Sequence, residues 1–223
     1  MRTRMTKYWA KRFKNIILTG MPASGKTTFG KIYAQHSGRL FLDFDSYIES
    51  TTKKSISQLF LEEGEPGFRA IEEKILNKLE RRHNFVIAMG GGTLLKPSNI
   101  AFARKLGLLV TLEASPQELS KRIFSDKELR PVFVQLQTLE EISQKVEELL
   151  EQRANFYEQS DVVINTTYNT LDAMKLHLEL IERRAGNRDY MSDIYHIMTK
   201  KIRKTSKWTE KEEAVEIEDQ QNF

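Results

Sequence analysis

The chain contains no cysteine. Disulfides and thiolate metal sites are therefore excluded, and a reducing compartment is compatible with the composition. Long apolar runs are also missing. No stretch approaches the ~18 apolar residues that a membrane-spanning helix needs, and no apolar signal segment precedes the first predicted strand. Hydrophobic residues make up 39% of the chain and charged residues 30%. That balance fits one α/β core of moderate size with polar appendages. No internal repeat is present. Residues 1–15 lack any acid but contain Arg2, Arg4, Lys7, Lys11, Arg12 and Lys14. Such an arm suits nucleic acid, an anionic surface or organellar targeting; the reading preferred is a solvated arm before the first strand. The net charge of +4 is mild, and no nucleic-acid partner is expected from it. The chain reads as a cytoplasmic monomer with no membrane partner.

Against these absences stands one dense stretch. Ile16-Ile17-Leu18-Thr19 ends at Gly20, and Gly25-Lys26-Thr27 follows four residues later. This is the G-x-x-x-x-G-K-T pattern of a P-loop. A buried strand must stop, turn tightly and feed a helix, so that consecutive backbone N–H groups surround a phosphate. Gly20 and Gly25 allow backbone angles and a close approach that a Cβ would block. Lys26 reaches the terminal phosphates and the Thr27 hydroxyl suits Mg²⁺.

The remaining pattern alternates strands and helices. Residues 15–19 read as a buried strand and 25–36 as the helix after the loop, with Phe29, Ile32 and Tyr33 on one face and Ser37-Gly38 at its end. Residues 39–42 form a second predicted strand running into Asp43-Phe44-Asp45. Two short helices are expected between Ser46 and Leu61, then a turn at Gly64-Glu65-Pro66-Gly67. Phe68, Ile71, Ile75, Leu76 and Leu79 predict an amphipathic helix over 68–82. Strands follow at 85–89, 108–112 and 161–164, with helices at 97–105, 116–124, 139–157 and 169–184; Ser115 and Pro116 supply a cap and a first helical position. Residues 125–137 read as a polar loop. Beyond Ala185 the periodicity fails, apart from a possible helix over 190–202, and disorder is expected after Lys207. The alternation argues a parallel sheet with helices on both faces, whose ligands collect at the carboxyl ends of the strands.

Several clusters fall at those ends. Asp43 and Asp45 lie two apart at a strand end; one carboxylate suits Mg²⁺ and the other a hydroxyl, although Asp45 also suits a helix N-cap. Gly90-Gly91-Gly92 follows a strand, where three glycines suit close backbone approach to a small ligand. Arg69, Arg130 and Arg153 suit anions, yet by periodicity alone Arg69 and Arg153 read as surface residues, and Arg130 reads equally as a solvated loop charge.

Taken in order, G-x4-G-K-T at 20–27, F-x-D-x-D at 41–45, G-E-x-G-F-R-x-I-E at 64–72, G-G-G at 90–92, R-P at 130–131 and R-x-x-x-Y at 153–157 resemble shikimate kinase, a small member of the nucleoside-monophosphate-kinase-like P-loop group. The resemblance covers about residues 14–184. It implies a P-loop NTPase three-layer sandwich with a five-stranded parallel sheet, a helical substrate-binding region and a lid. It implies ATP as donor, Mg²⁺ as cofactor and shikimate as acceptor. By position, Lys26, Asp45 and Arg130 would be catalytic. Gly20, Ala23, Ser24, Gly25, Lys26, Thr27, Thr28, Arg122 and Arg130 would surround the nucleotide. Asp45, Arg69, Gly91, Gly92 and Arg153 would hold the acceptor, and Thr27 and Asp43 the metal. Residues 1–13 would be a basic arm, 14–185 the kinase domain and 186–223 a charged extension.

The chain departs from the family pattern at Ala23, where many members have glycine, at Val132, where leucine is common, and at Asn165, where an aspartate is frequent. The arm and the extension have no counterpart in the minimal pattern. A gluconate-type kinase and a non-catalytic nucleotide-binding protein are the competing readings.

Overall fold

A computed structural model describes residues 13–126 and 132–184. The basic arm, the helix expected over 190–202 and the lid residue Arg130 lie outside the described residues. The chain divides into two compact units, Met1–Glu179 and Leu180–Phe223. Of the second, the described part is the last turn of one helix; the account below concerns the first.

Five strands form one parallel sheet: β1 (Asn15–Thr19), β2 (Leu40–Asp43), β3 (Phe85–Ala88), β4 (Leu108–Glu113) and β5 (Val162–Asn165), in the order β2-β3-β1-β4-β5. The central strand β1 is buried throughout, as its unbroken apolar run requires. It pairs Ile17 with Ile87 of β3 and with Leu109 of β4. Parallel pairing needs crossover helices. These are α1 (Lys26–Ser37), α2 (Phe44–Thr52), α3 (Ile56–Asn77), α4 (Pro97–Leu106), α5 (Pro116–Ser125) and α6 (Leu139–Tyr157), with α7 (Leu171–Arg184) after β5. Ile17, Ile87 and Leu109 face a core shared with Phe44, Leu59, Phe68 and Leu76 of α2 and α3. The alternate residue Leu18 faces α1, which approaches so closely that a Cβ on Gly30 would lie 2.6 Å from the Phe41 ring and 3.1 Å from Leu18. The result is the expected three-layer sandwich, with the ends of β1, β2 and β3 opening on one edge.

The elements follow the predicted pattern with instructive shifts. The turn expected at 64–67 contracts to Gly64, whose φ of 65° and ψ of 179° interrupt α3. The helix resumes at once because Pro66 sits in its first turn, where a missing N–H costs nothing. The helix expected to reach residue 82 ends at Asn77 and gives way to turns. β2 begins at Leu40 rather than Arg39. Arg39 is instead buried and donates to the Phe13 and Lys14 carbonyls, tying down the entry to β1. Asp161 precedes β5 rather than opening it; its carboxylate accepts from Leu109 N–H, which registers β5 against β4.

The amino end of the sheet is closed by Asn15, which is fully buried. Its amide nitrogen donates to the carbonyls of Arg82 and Leu106, each at 2.9 Å, and its oxygen accepts from Phe85 N–H at 3.0 Å. A Cβ on Gly107 would overlap the Asn15 backbone carbonyl, so this corner also needs a glycine. Asn15→Ala strands three backbone groups, the Leu106 carbonyl buried and the other two partly so, and the expected cost is about 3 kcal/mol in urea unfolding. A loss below about 1 kcal/mol would contradict the assignment of Asn15 as the clip joining three strands.

Candidate active site

The loop between β1 and α1 lines an open cleft with its own residues Ala23 to Lys26. Gly20 has φ 137°, and a Cβ there would overlap the Leu112 carbonyl of β4. Gly25 has φ 91° and caps α1 without any side-chain hydrogen bond, so the first N–H groups of the helix are left to an external acceptor. Ala23 adopts φ 60°, a left-handed conformation that favours glycine. The Ser24 side chain is buried beside Gly20 and its hydroxyl has no partner; its N–H donates to Met21 O at 3.2 Å. Lys26 is only 6% exposed and its Nζ donates to the carbonyls of Gly20 and Met21 at 2.9 and 2.7 Å. The ammonium is thereby held over the mouth of the loop.

Thr27 Oγ1 donates to Asp43 Oδ2 at 2.9 Å. Two oxygen groups from different elements therefore meet at the start of α1, a donor set that fits a hard cation. Asp43 also caps α2, accepting from Ser46 N–H at 3.2 Å. The cap is thus Asp43, not Asp45; Asp45 lies in the first turn of α2 and is directed at the glycine triplet. Beside the loop lies a cleft of about 510 Å³ lined by Ala23 to Phe29 together with Arg122, Thr166, Asn169 and Leu171. Arg122 is fixed there by Glu118 at 2.8 Å and by the Ala23 carbonyl at 3.3 Å. Thr28 is exposed on the same cleft.

A second cleft, of about 360 Å³, lies beneath the ends of β2 and β3. Asp45, Arg69, the three glycines and Arg153 line it, with an apolar wall of Ile56, Phe60 and Phe68. The glycines are small because the charged groups occupy the space of side chains. A Cβ on Gly90 would lie 2.5 Å from Asp45 Oδ1, and one on Gly92 2.5 Å from Arg69 Nη2. Arg153 Nη1 donates to the Gly91 carbonyl at 3.1 Å. Thus the acceptor-side residues expected from scattered motifs line one concavity next to the loop.

Glu72 closes the G-E-x-G-F-R-x-I-E block, where the sequence reading gives it no role, and its spacing from Arg69 places both on one face of α3. Its side chain is 2% exposed and accepts from Arg69 Nη1 at 2.5 Å and from Thr93 Oγ1 at 2.7 Å. Burial pushes its carboxyl above the ordinary carboxylate value, against the pull of Arg69 and Thr93. Burial likewise works against the Arg69 guanidinium, but Glu72 and Glu65 more than offset it and hold the charged form. Glu49 and Asp126, which also line the second cleft, were equally silent in the sequence.

The model of the family described as shikimate kinase matches residues 22–183. A shikimate kinase of Thermoanaerobacter pseudethanolicus is 38% identical over 159 residues, covering 71% of this chain and 90% of that protein. One from Nitrosomonas europaea is 42% identical over 150 residues, 67% of this chain and 69% of that protein. Among solved structures, shikimate kinase from Acinetobacter baumannii in complex with shikimate superposes with a TM-score of 0.71 at 33% identity, covering 82% of this chain and 99% of that one.

Gly20→Ala forces a Cβ into the β4 carbonyl at a φ that side chains rarely adopt. The expected result, read by titration calorimetry, is ATP binding weakened by about tenfold or more, equivalent to 1.4 kcal/mol. Binding within about twofold of the parent would contradict the close-approach role.

Proposed function

The chain belongs to the shikimate kinase family, and on that premise we propose that it transfers the terminal phosphoryl group of ATP to the 3-hydroxyl of shikimate. The observation that carries the reading is the second cleft. It brings Asp45, Arg69 and Arg153 from three elements around a glycine floor beside a phosphate loop, with Glu49, Glu72 and Asp126 also on its wall. A ring acid with several hydroxyls fits that inventory. Arg69 and Arg153 would clamp the ring carboxylate by charge-assisted hydrogen bonds. The backbone of Gly91 and Gly92 would meet the hydroxyls. Asp45 would accept the proton of the attacking hydroxyl as its oxygen bonds to the γ-phosphorus and the bond to the β–γ bridging oxygen breaks, releasing ADP.

On the donor side, the N–H groups at the start of α1 and the Lys26 ammonium would hold the phosphates of ATP, with Ala23, Ser24 and Thr28 shaping the loop around them. Phosphoryl transfer is accelerated chiefly by positioning and by stabilising charge, which fixed backbone donors and cations provide. Thr27 and Asp43 would hold Mg²⁺, which when bound neutralises charge on the β- and γ-phosphates. Arg122 would lie at the base end of the nucleotide cleft. Arg130 is assigned by family position to the transferring phosphoryl group. The kinase domain would span 14–185, with 1–13 as a basic arm and 186–223 as an extension. No helix among the described residues is long and apolar enough to cross a membrane, and we assign the enzyme to the cytoplasm as a monomer acting on a small molecule rather than on nucleic acid.

Coupled ADP release should be seen with shikimate and not with gluconate, adenylate or no acceptor. Equal turnover with and without shikimate would sink the assignment. In the same assay Arg69→Ala is expected to raise the shikimate KM by about tenfold or more, the value of one charge-assisted hydrogen bond. The KM for ATP should stay within about twofold, since uniform binding is lost on the acceptor side alone.

A further inference from the structure

Arg153 and Tyr157 lie one turn apart on α6 and both are buried. A guanidinium presents five N–H donors in a fixed plane. In Arg153, Nη1 donates to the Gly91 carbonyl at 3.1 Å and also contacts the Met21 sulfur at 3.7 Å. Its Nε and the Tyr157 hydroxyl are both buried and neither makes a hydrogen bond of full geometry, although Arg153 and the hydroxyl lie within reach of a weak one. A donor and a hydroxyl left unsatisfied in neighbouring positions away from water are costly unless one serves the other in a working state.

The surroundings hold the hydroxyl in place. The Tyr157 ring packs in a cluster with Met21 of the phosphate loop, Leu119 and Ile123 of α5 and Leu149 of α6. Burial raises the phenol above its ordinary value, the Arg153 guanidinium pulls against that rise through its charge and a weak hydrogen bond, and Glu113 at the end of β4 adds to it. Tyr157 is therefore a neutral hydroxyl within the field of Arg153, anchored to the same loop that would hold the phosphates.

We propose that Tyr157 is a positioning residue for Arg153, its hydroxyl accepting the Nε–H while the Gly91 carbonyl accepts one Nη1–H. The guanidinium is then turned so that one Nη2–H, and the second Nη1–H in place of its weak contact with the Met21 sulfur, meet the acceptor carboxylate end-on. An arginine on its long stem carries much rotamer freedom, and fixing it beforehand lowers the cost of binding. This inference rests on the reading of Arg153 as a ligand of the shikimate carboxylate. It gives the tyrosine of the R-x-x-x-Y motif a task that packing alone does not require.

Tyr157→Phe keeps the ring and removes only the hydroxyl. The shikimate KM is expected to rise by about fivefold, with the ATP KM and thermal midpoint little changed. In an Arg153→Ala background, already weakened for shikimate, the same change should add less than about twofold, because its partner is gone. If Arg153→Ala leaves the shikimate KM unchanged, the carboxylate reading itself fails and the inference falls with it. If Arg153→Ala weakens shikimate but Tyr157→Phe does not, the positioning role alone is overturned. A parallel rise in ATP KM, or an equal effect in both backgrounds, marks a packing role and also overturns it. Independently of any variant, the full chain labelled with ¹⁵N should show a protected arginine Nε–H resonance on adding shikimate; its absence contradicts the proposal.

Discussion

The buried carboxylate of Glu72 is the contact on which the acceptor side of the molecule depends. A charge removed from water must be answered by partners, and here the partners are Arg69 on its own helix and Thr93 after β3. Thr93 in turn offers its carbonyl to Asn99 at 2.8 Å, which fixes the start of α4. One desolvated charge thereby ties α3 to the segment after the glycine triplet and holds Arg69 on the wall of the second cleft, where on the proposed function it would meet the substrate carboxylate. Removing one member of such a group leaves the others uncompensated, typically at a cost of about 3–5 kcal/mol.

The donor side rests on a different constraint, the absence of atoms. Gly20 meets a backbone carbonyl of β4 and Gly25 turns the chain into α1. Lys26 is held over the loop by two of its carbonyls. These groups are set by the strand order, which places β1 between β3 and β4 so that the loop emerges where the ends of both neighbours are open. Asp43 joins the two sides: it ends β2, caps α2 and meets Thr27 across the gap. A single carboxylate thus registers the helix bearing Asp45 against the helix that starts at the loop.

Much of this was legible in the sequence, for physical reasons that can be named. The strand–glycine–helix transition at Gly20 to Thr27 and the long helix from Leu139 are local signals, carried by periodicity and by caps. Thr138, for example, forms a capping box with Glu141. What was not legible depends on contacts distant in sequence. Asn15 reads as a polar residue opening an apolar strand, and only the approach of Arg82 and Leu106 reveals its task. Gly64 to Gly67 reads as a turn because two glycines flank a proline within four residues, yet only Gly64 leaves the helical region. Glu72 reads as one acid among several on α3 until Thr93 is seen beside it. The convergence of Asp45, Arg69, Gly91 and Arg153 was expected from family motifs rather than from any single pattern, since each residue alone has an ordinary surface reading.

On the proposed function, the acceptor cleft would present one particular hydroxyl of a ring acid to the phosphate loop. Phosphorus–proton correlation NMR on the product formed from ATP and shikimate tests this most directly. The account expects a single organic phosphate whose phosphorus couples to the proton at C3 of shikimate. Phosphate on another hydroxyl, a mixture of positions, or inorganic phosphate alone would contradict it.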